Sequence, residues 1–183
     1  MEERLLGHST RAMALAPGTP SIGRKEGIMP LVTGDQAPDF DLPGAGGDAI
    51  RLGDLTGRKV VLYFYPKDDT SGCTLEAQGF NALGPAFAAA DTIVIGVSPD
   101  SVKSHDKFRA KYDLTFPLAS DEPKAMLEAY GVWVEKSMYG RKYMGVERTT
   151  MLLDRSGRIV RIWPKVKVPG HAEEVLAAAQ GEA

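Results

Sequence analysis

The sequence predicts an α/β domain with a mixed central sheet flanked by helices and preceded by an N-terminal β-hairpin. Three observations predict it. Two runs rich in β-branched and aromatic residues, Lys59–Tyr65 and Thr92–Ser98, are each followed by helical patterning, which makes a βαβ unit. Further αβ pieces follow, and then two strand-like runs around the turn signal "RSGR" and a closing helix. At 183 residues the chain is the size of one ordinary domain, long enough to bury most of its apolar surface without staples.

The elements follow in order. Residues 1–28 show no sustained periodicity and are broken by Gly7, Pro17 and Pro20, so residues 1–30 read as a flexible extension and residues 31–183 as the folded domain. Met29 could serve as an alternative start. The segment "APDFDLPGAGGDAIRLGDL" reads as two short strands, near Phe40–Leu42 and Ala49–Leu52, joined by a glycine-rich turn. Its glycines satisfy a loose dinucleotide pattern, but no strong strand precedes them and no helix follows, so the turn reading prevails. Lys59–Tyr65 is a buried central strand. A helix runs from about Cys73 to Ala90, kinked near Gly84-Pro85 because proline has no amide for the ladder. Thr92–Ser98 is a second buried strand, Ser101–Tyr112 a helix, and Pro123–Gly131 a third helix. Thr149–Asp154 and Ile159–Trp163 form a hairpin, and Gly170–Gln180 closes the chain as a helix with acids in its first turn.

Composition excludes several classes of function. A formal net charge of −2 and a pI near 5.9 leave no electrostatic footprint for nucleic acid or an anionic membrane surface. The longest strongly apolar run, "VVLYFY", is far short of a membrane span. The single cysteine forbids an internal disulfide and points to a reducing, cytoplasmic setting. His8, His105 and His171 have no carboxylate or cysteine at ligand spacing, so no metal is expected. Asp68 and Asp69 read as turn formers. Arg158, Arg161, Lys165 and Lys167 read as a solvated strand face.

That single cysteine, Cys73, stands in "FYPKDDTSGCTLEAQGF", between a strand and a helix. With Thr70 as N-cap, Ser71 and Gly72 open the first turn and Cys73 is the third helical residue. Its sulfur then faces unpaired amides and the positive end of the helix dipole, which favour thiolate over thiol. A packing cysteine belongs in the middle of an apolar face, and position alone leaves both readings of Cys73 open, packing atom and reagent.

The order Pro66, Thr70, Cys73 matches the Pro-x-x-x-Thr-x-x-Cys pattern of the peroxiredoxins, and "YFYPKDDTSGCTLEA" closely resembles the Q-type, or bacterioferritin comigratory protein, branch. "GDQAPDFDLP" resembles the family's opening segment, "YGVWVEKSMYGRKYMGVERTTMLLD" its second signature, and "GHAEEVL" its final helix. The resemblance implies a thioredoxin-like fold and reduction of hydrogen peroxide and organic hydroperoxides without a cofactor. It implies Cys73 as nucleophile, Arg148 as the arginine that stabilises charge on sulfur and leaving oxygen, Thr70 as the hydroxyl that orients the peroxide, and Pro66 as a wall against water.

Two residues depart from that pattern. The branch commonly carries a second cysteine five residues after the first, where this chain has Gln78, and no cysteine stands in the helix after the second strand. A one-cysteine enzyme is therefore expected, a monomer resolved by an outside thiol such as thioredoxin, glutaredoxin or glutathione. The alternative is a peroxide sensor that relays its oxidation to a partner. Ser71 replaces the usual proline at the first helical position, which should loosen the loop slightly.

Overall fold

The computed structural model describes residues 29–183. The extension read over residues 1–30 lies outside the described residues up to position 28. A small antiparallel hairpin comes first, β1 (Asp41–Pro43) and β2 (Ala49–Arg51), its turn closed by the Gly44 N–H donating to the Asp48 carbonyl at 2.8 Å. The glycine-rich segment is a turn, as the sequence predicts.

The central sheet holds β3 (Lys59–Phe64), β4 (Thr92–Ser98), β5 (Leu118–Ser120), β8 (Thr149–Leu153) and β9 (Ile159–Trp163), in the order β5-β4-β3-β8-β9. Strands β3, β4 and β5 are parallel; β8 and β9 are antiparallel to their neighbours. Every residue of β3 is buried, as expected of a central strand covered on both faces. Its side chains alternate. Val60, Leu62 and Phe64 join one core with Ile95, Val97 and Tyr130, while Val61, Tyr63 and Tyr65 join the other with Phe80, Phe87 and Phe108.

Among the described residues five α-helices pack around the sheet: α1 (Ser71–Ala82), α2 (Gly84–Ala89), α3 (Val102–Tyr112), α4 (Ala125–Ala129) and α5 (His171–Gly181). Helix α1 turns Cys73, Glu76, Ala77 and Phe80 inward, a spacing of three, four and seven that puts them on one face. Lys59, at the start of β3, is buried, and its Nζ donates to the carbonyls of Ala179 at 2.6 Å and Glu182 at 2.8 Å at the end of α5. Among the described residues no helix is long and apolar enough to cross a membrane.

Three expectations need correction. The predicted kinked helix is two helices, because the chain leaves helical geometry at Leu83 and Pro85 enters the first turn of α2. The third helix is shorter than Pro123–Gly131, since Lys124 takes a left-handed conformation with φ 64° and helical geometry begins only after it. Strand β5 and the hairpin of β6 (Trp133–Met138) and β7 (Arg141–Val146) were not anticipated. That hairpin turns at Tyr139-Gly140, both with positive φ as a tight two-residue turn requires, and its mostly exposed strands show no apolar alternation.

Candidate active site

Strand β3 delivers the chain to the site. The Tyr65 N–H donates to the Val97 carbonyl at 3.1 Å, and Pro66, which has no N–H, ends the pairing. The loop 66–70 leads to Thr70, the N-cap of α1, whose carbonyl accepts the first helical bond from the Thr74 N–H at 2.8 Å. Thr70 caps by position only. Its hydroxyl donates back to the Lys67 carbonyl at 3.0 Å, and no side chain of Thr70 closes the first-turn amides. Those amides face outward from the helix start unclaimed by the cap, with the dipole behind them.

Cys73 is the third residue of α1, as the sequence predicts, and is only 1% exposed. Arg148 reaches it from another element. In the β3–β8 register Phe64 pairs with Thr149, so the residue just before β8 comes to lie beside the loop that follows β3. The Arg148 Nη2 donates to Cys73 Sγ at 3.3 Å, and Nη1 binds the Glu76 carboxylate. The close approach depends on Gly72: a Cβ there would stand 3.3 Å from Nη2. Burial alone would lower the Arg148 pKa; the charges of Glu76 and Cys73 more than offset it, so it is raised and the guanidinium stays charged.

Glu76 was not singled out from the sequence. The available signal was its place three residues after Cys73, on the same face of one helix. It is 2% exposed, and burial pushes its carboxyl up to about 7 against the opposing pull of Arg148. One of its oxygens, Oε1, has no hydrogen-bond partner among the described residues. Gln78, by contrast, is exposed while Cys73 is buried, so the two point away from each other.

Asp68 and Asp69 form a turn, as the sequence predicts, but the expectation that no carboxylate stands at ligand spacing from His105 needs correction. Asp68 is buried, and its carboxylate meets His105 Nδ1 at 2.7 Å, the Ser104 hydroxyl at 2.8 Å and the Tyr65 hydroxyl at 2.6 Å. Asp69 accepts from Lys111 Nζ at 2.8 Å and the Tyr112 hydroxyl at 2.6 Å, which hold its carboxyl below the usual range. Both acids fold back onto α3. His105, read as isolated, has Asp68 and Asp100 close by, ligand-type atoms of all three lying within 4.8 Å of one another. Each is already engaged in hydrogen bonds, so the group is a closed network. His171 stands apart at the start of α5, its Nε2 2.8 Å from the Thr150 hydroxyl, and burial lowers its pKa. Arg158, Arg161, Lys165 and Lys167 are exposed, as expected, but only Arg161 lies within β9, so they do not form one strand face.

The comparison with known proteins bears on all of this. The AhpC/TSA family pattern matches residues 33–162. Peroxiredoxin Bcp of Bacillus subtilis is 46% identical over 148 residues, 81% of this chain and 94% of that protein. Peroxiredoxin Bcp of Xanthomonas campestris is 50% identical over 149 residues, 80% of this chain and 93% of that one. A solved structure of the Xanthomonas campestris bacterioferritin comigratory protein, described for its alkyl peroxide reduction activity, superimposes with a TM-score of 0.75 at 48% identity, covering 78% of this chain and 90% of that one.

Proposed function

The chain belongs to the AhpC/TSA family and is a thiol peroxidase, and from that premise we propose that it is a one-cysteine enzyme whose nucleophile is Cys73 and whose reductant is an outside thiol. The observation that carries the reading is the 3.3 Å contact of a charged, carboxylate-anchored guanidinium with the only sulfhydryl of the chain, at a helix N-terminus. Hydrogen peroxide and alkyl hydroperoxides are the substrates, the second by likeness to the Xanthomonas campestris protein.

The Cys73 thiolate attacks one peroxide oxygen in line with the O–O bond. That bond breaks, its electron pair leaves on the distal oxygen, and a proton completes water or an alcohol while sulfur becomes a sulfenic acid. Arg148 stabilises the charge both on sulfur and on the leaving oxygen, and Glu76 holds the guanidinium in place. Thr70, at the mouth of α1, orients the peroxide with its hydroxyl, and Pro66 shields the site from water. An outside thiol then condenses with the sulfenic acid, releasing water, and a second thiol frees Cys73 as a disulfide departs. Gln78 supports this order of events, since no internal thiol can compete. The cytoplasm, with thioredoxin, glutaredoxin or glutathione as reductant, suits a lone unprotected thiol.

The test is peroxide consumption with each reductant in turn, beside mass spectrometry of the chain oxidised without one. Turnover should be supported by at least one thiol. Dimedone should trap Cys73, and excess peroxide should carry it to sulfinic acid. Cys73→Ser should abolish turnover with the fold intact. Rapid single oxidation with no turnover under any reductant would favour the sensor, and no oxidation of Cys73 would overturn the catalytic assignment.

A further inference from the structure

We propose that His105 is a positioning residue for the peroxidase reaction: through Asp68 it fixes the loop that carries Thr70, without touching substrate. The proposal rests on the peroxidase reading given above. His105 is fully buried, so it cannot exchange protons with a peroxide directly. Its Nε2 stands 3.1 Å from the Ala119 carbonyl, which can only accept, so that nitrogen carries a hydrogen. Its Nδ1 stands 2.7 Å from Asp68 Oδ2. The ring therefore ties β5 to the catalytic loop.

Asp68 is held on every side. Its Oδ2 also accepts from the Ser104 hydroxyl at 2.8 Å, and its Oδ1 from the Tyr65 hydroxyl at 2.6 Å. Its backbone N–H donates to Asp100 Oδ2 at 2.9 Å, which in turn accepts from the Ser98 hydroxyl at 2.6 Å. The ends of β3, β4 and β5 and the first turn of α3 thus converge on a residue two positions before Thr70. Burying so many polar groups is unfavourable unless all are paired, and an apolar contact would hold a loop of no special geometry as well. What the network adds over apolar packing is direction. It fixes which way the backbone runs into Thr70, and a displacement of about 1 Å in such a group costs on the order of a hundredfold in rate.

The experiment measures two reactions of Cys73 in the full chain: oxidation by hydrogen peroxide in rapid mixing, and alkylation by iodoacetamide. It does so for the wild type and for His105→Asn, His105→Gln, His105→Leu and Ser104→Ala. The amide of Asn can donate where Nδ1 does, so His105→Asn should keep oxidation within about threefold, while Gln and Leu should lose about tenfold or more. Alkylation should stay within about threefold throughout, since the sulfur and Arg148 lie on the other side of Thr70. Wild-type oxidation in a folded His105→Leu protein would overturn the proposal, as would parallel loss of both reactions or equal loss in Asn and Gln. Where the His105 variants do not fold, Ser104→Ala decides, since it removes one donor from the same oxygen. A fall of about threefold in oxidation alone supports the proposal, and an unchanged rate overturns it. Failure of the peroxidase reading itself shows separately, as absence of Cys73 oxidation in the wild type.

Discussion

Two supports meet at Thr70, and they are built differently. Upstream, Asp68 and Asp69 are gripped by Tyr65, Ser104, His105, Lys111 and Tyr112, with every carboxylate oxygen paired. Downstream, the first turn of α1 lacks a side-chain cap, Glu76 has an unpaired oxygen, and the helix ends after three turns at Leu83. One half is held by paired carboxylates, the other by apolar packing and the fork of Arg148. The difference follows the chemistry: a peroxide must be met by a fixed surface, whereas a sulfur 1% exposed must be uncovered before a second thiol can reach it.

The largest effect should come from the one strong tie on the downstream side. Arg148→Lys keeps a charge but loses the fork that spans Cys73 and Glu76, so the oxidation rate of Cys73 should fall about a hundredfold with the fold intact. Stopped-flow kinetics checks it, and wild-type rates would remove Arg148 from the mechanism. That the loop half stays ordered in this variant, by hydrogen exchange, would sharpen the contrast.

Glu76→Gln should act on stability through pH. An exposed glutamate titrates near 4.5, and burial raises this one to about 7, so the folded chain binds the proton more tightly than the unfolded one. The stability this group contributes is fully present below pH ~4.5 and is lost as pH rises through about 7. Relative to wild type, the Gln variant should gain on the order of 3 kcal/mol between those limits. Urea unfolding at several pH values measures the difference, and parallel curves would contradict the environment assigned to Glu76. The smallest effect belongs to Asp69→Gly. It loses exposed bonds to Lys111 and Tyr112 while relieving a residue held at φ 56°, so a thermal melt should barely move. A large drop would mean that Asp69, not Asp68, anchors the loop.

Much of this architecture can be read from residues alone. The buried strands β3 and β4, the terminal hairpin and the helix after Cys73 carry long periodic or apolar signals; Pro66, Thr70 and Cys73 stand in a fixed-spacing motif, and Arg148 is marked only by resemblance to the family's second signature. Strand β5 is three residues long, and the β6–β7 hairpin is too exposed to alternate, so neither offers a periodic signal. The Asp68–His105 pair joins residues 37 apart in sequence. Only the parallel crossover from β3 through α1 to β4 and on to α3 brings them together, and no local pattern records it. Asp68 is a turn residue, as its sequence suggests, but no local pattern records that its side chain is buried.

The buried ammonium of Lys59 also bears on how the chain may be handled. It is held by two main-chain carbonyls at the far end of the sequence, Ala179 and Glu182, so it fastens the first residue of the central strand to the tail. Side-chain replacements at Ala179 or Glu182 leave those carbonyls in place. Trimming does not: a protein cut before Ala179 would strand a positive charge inside the protein, at a cost of several kcal/mol. Removing Ala179 and the residues after it would therefore loosen the strand that feeds the site.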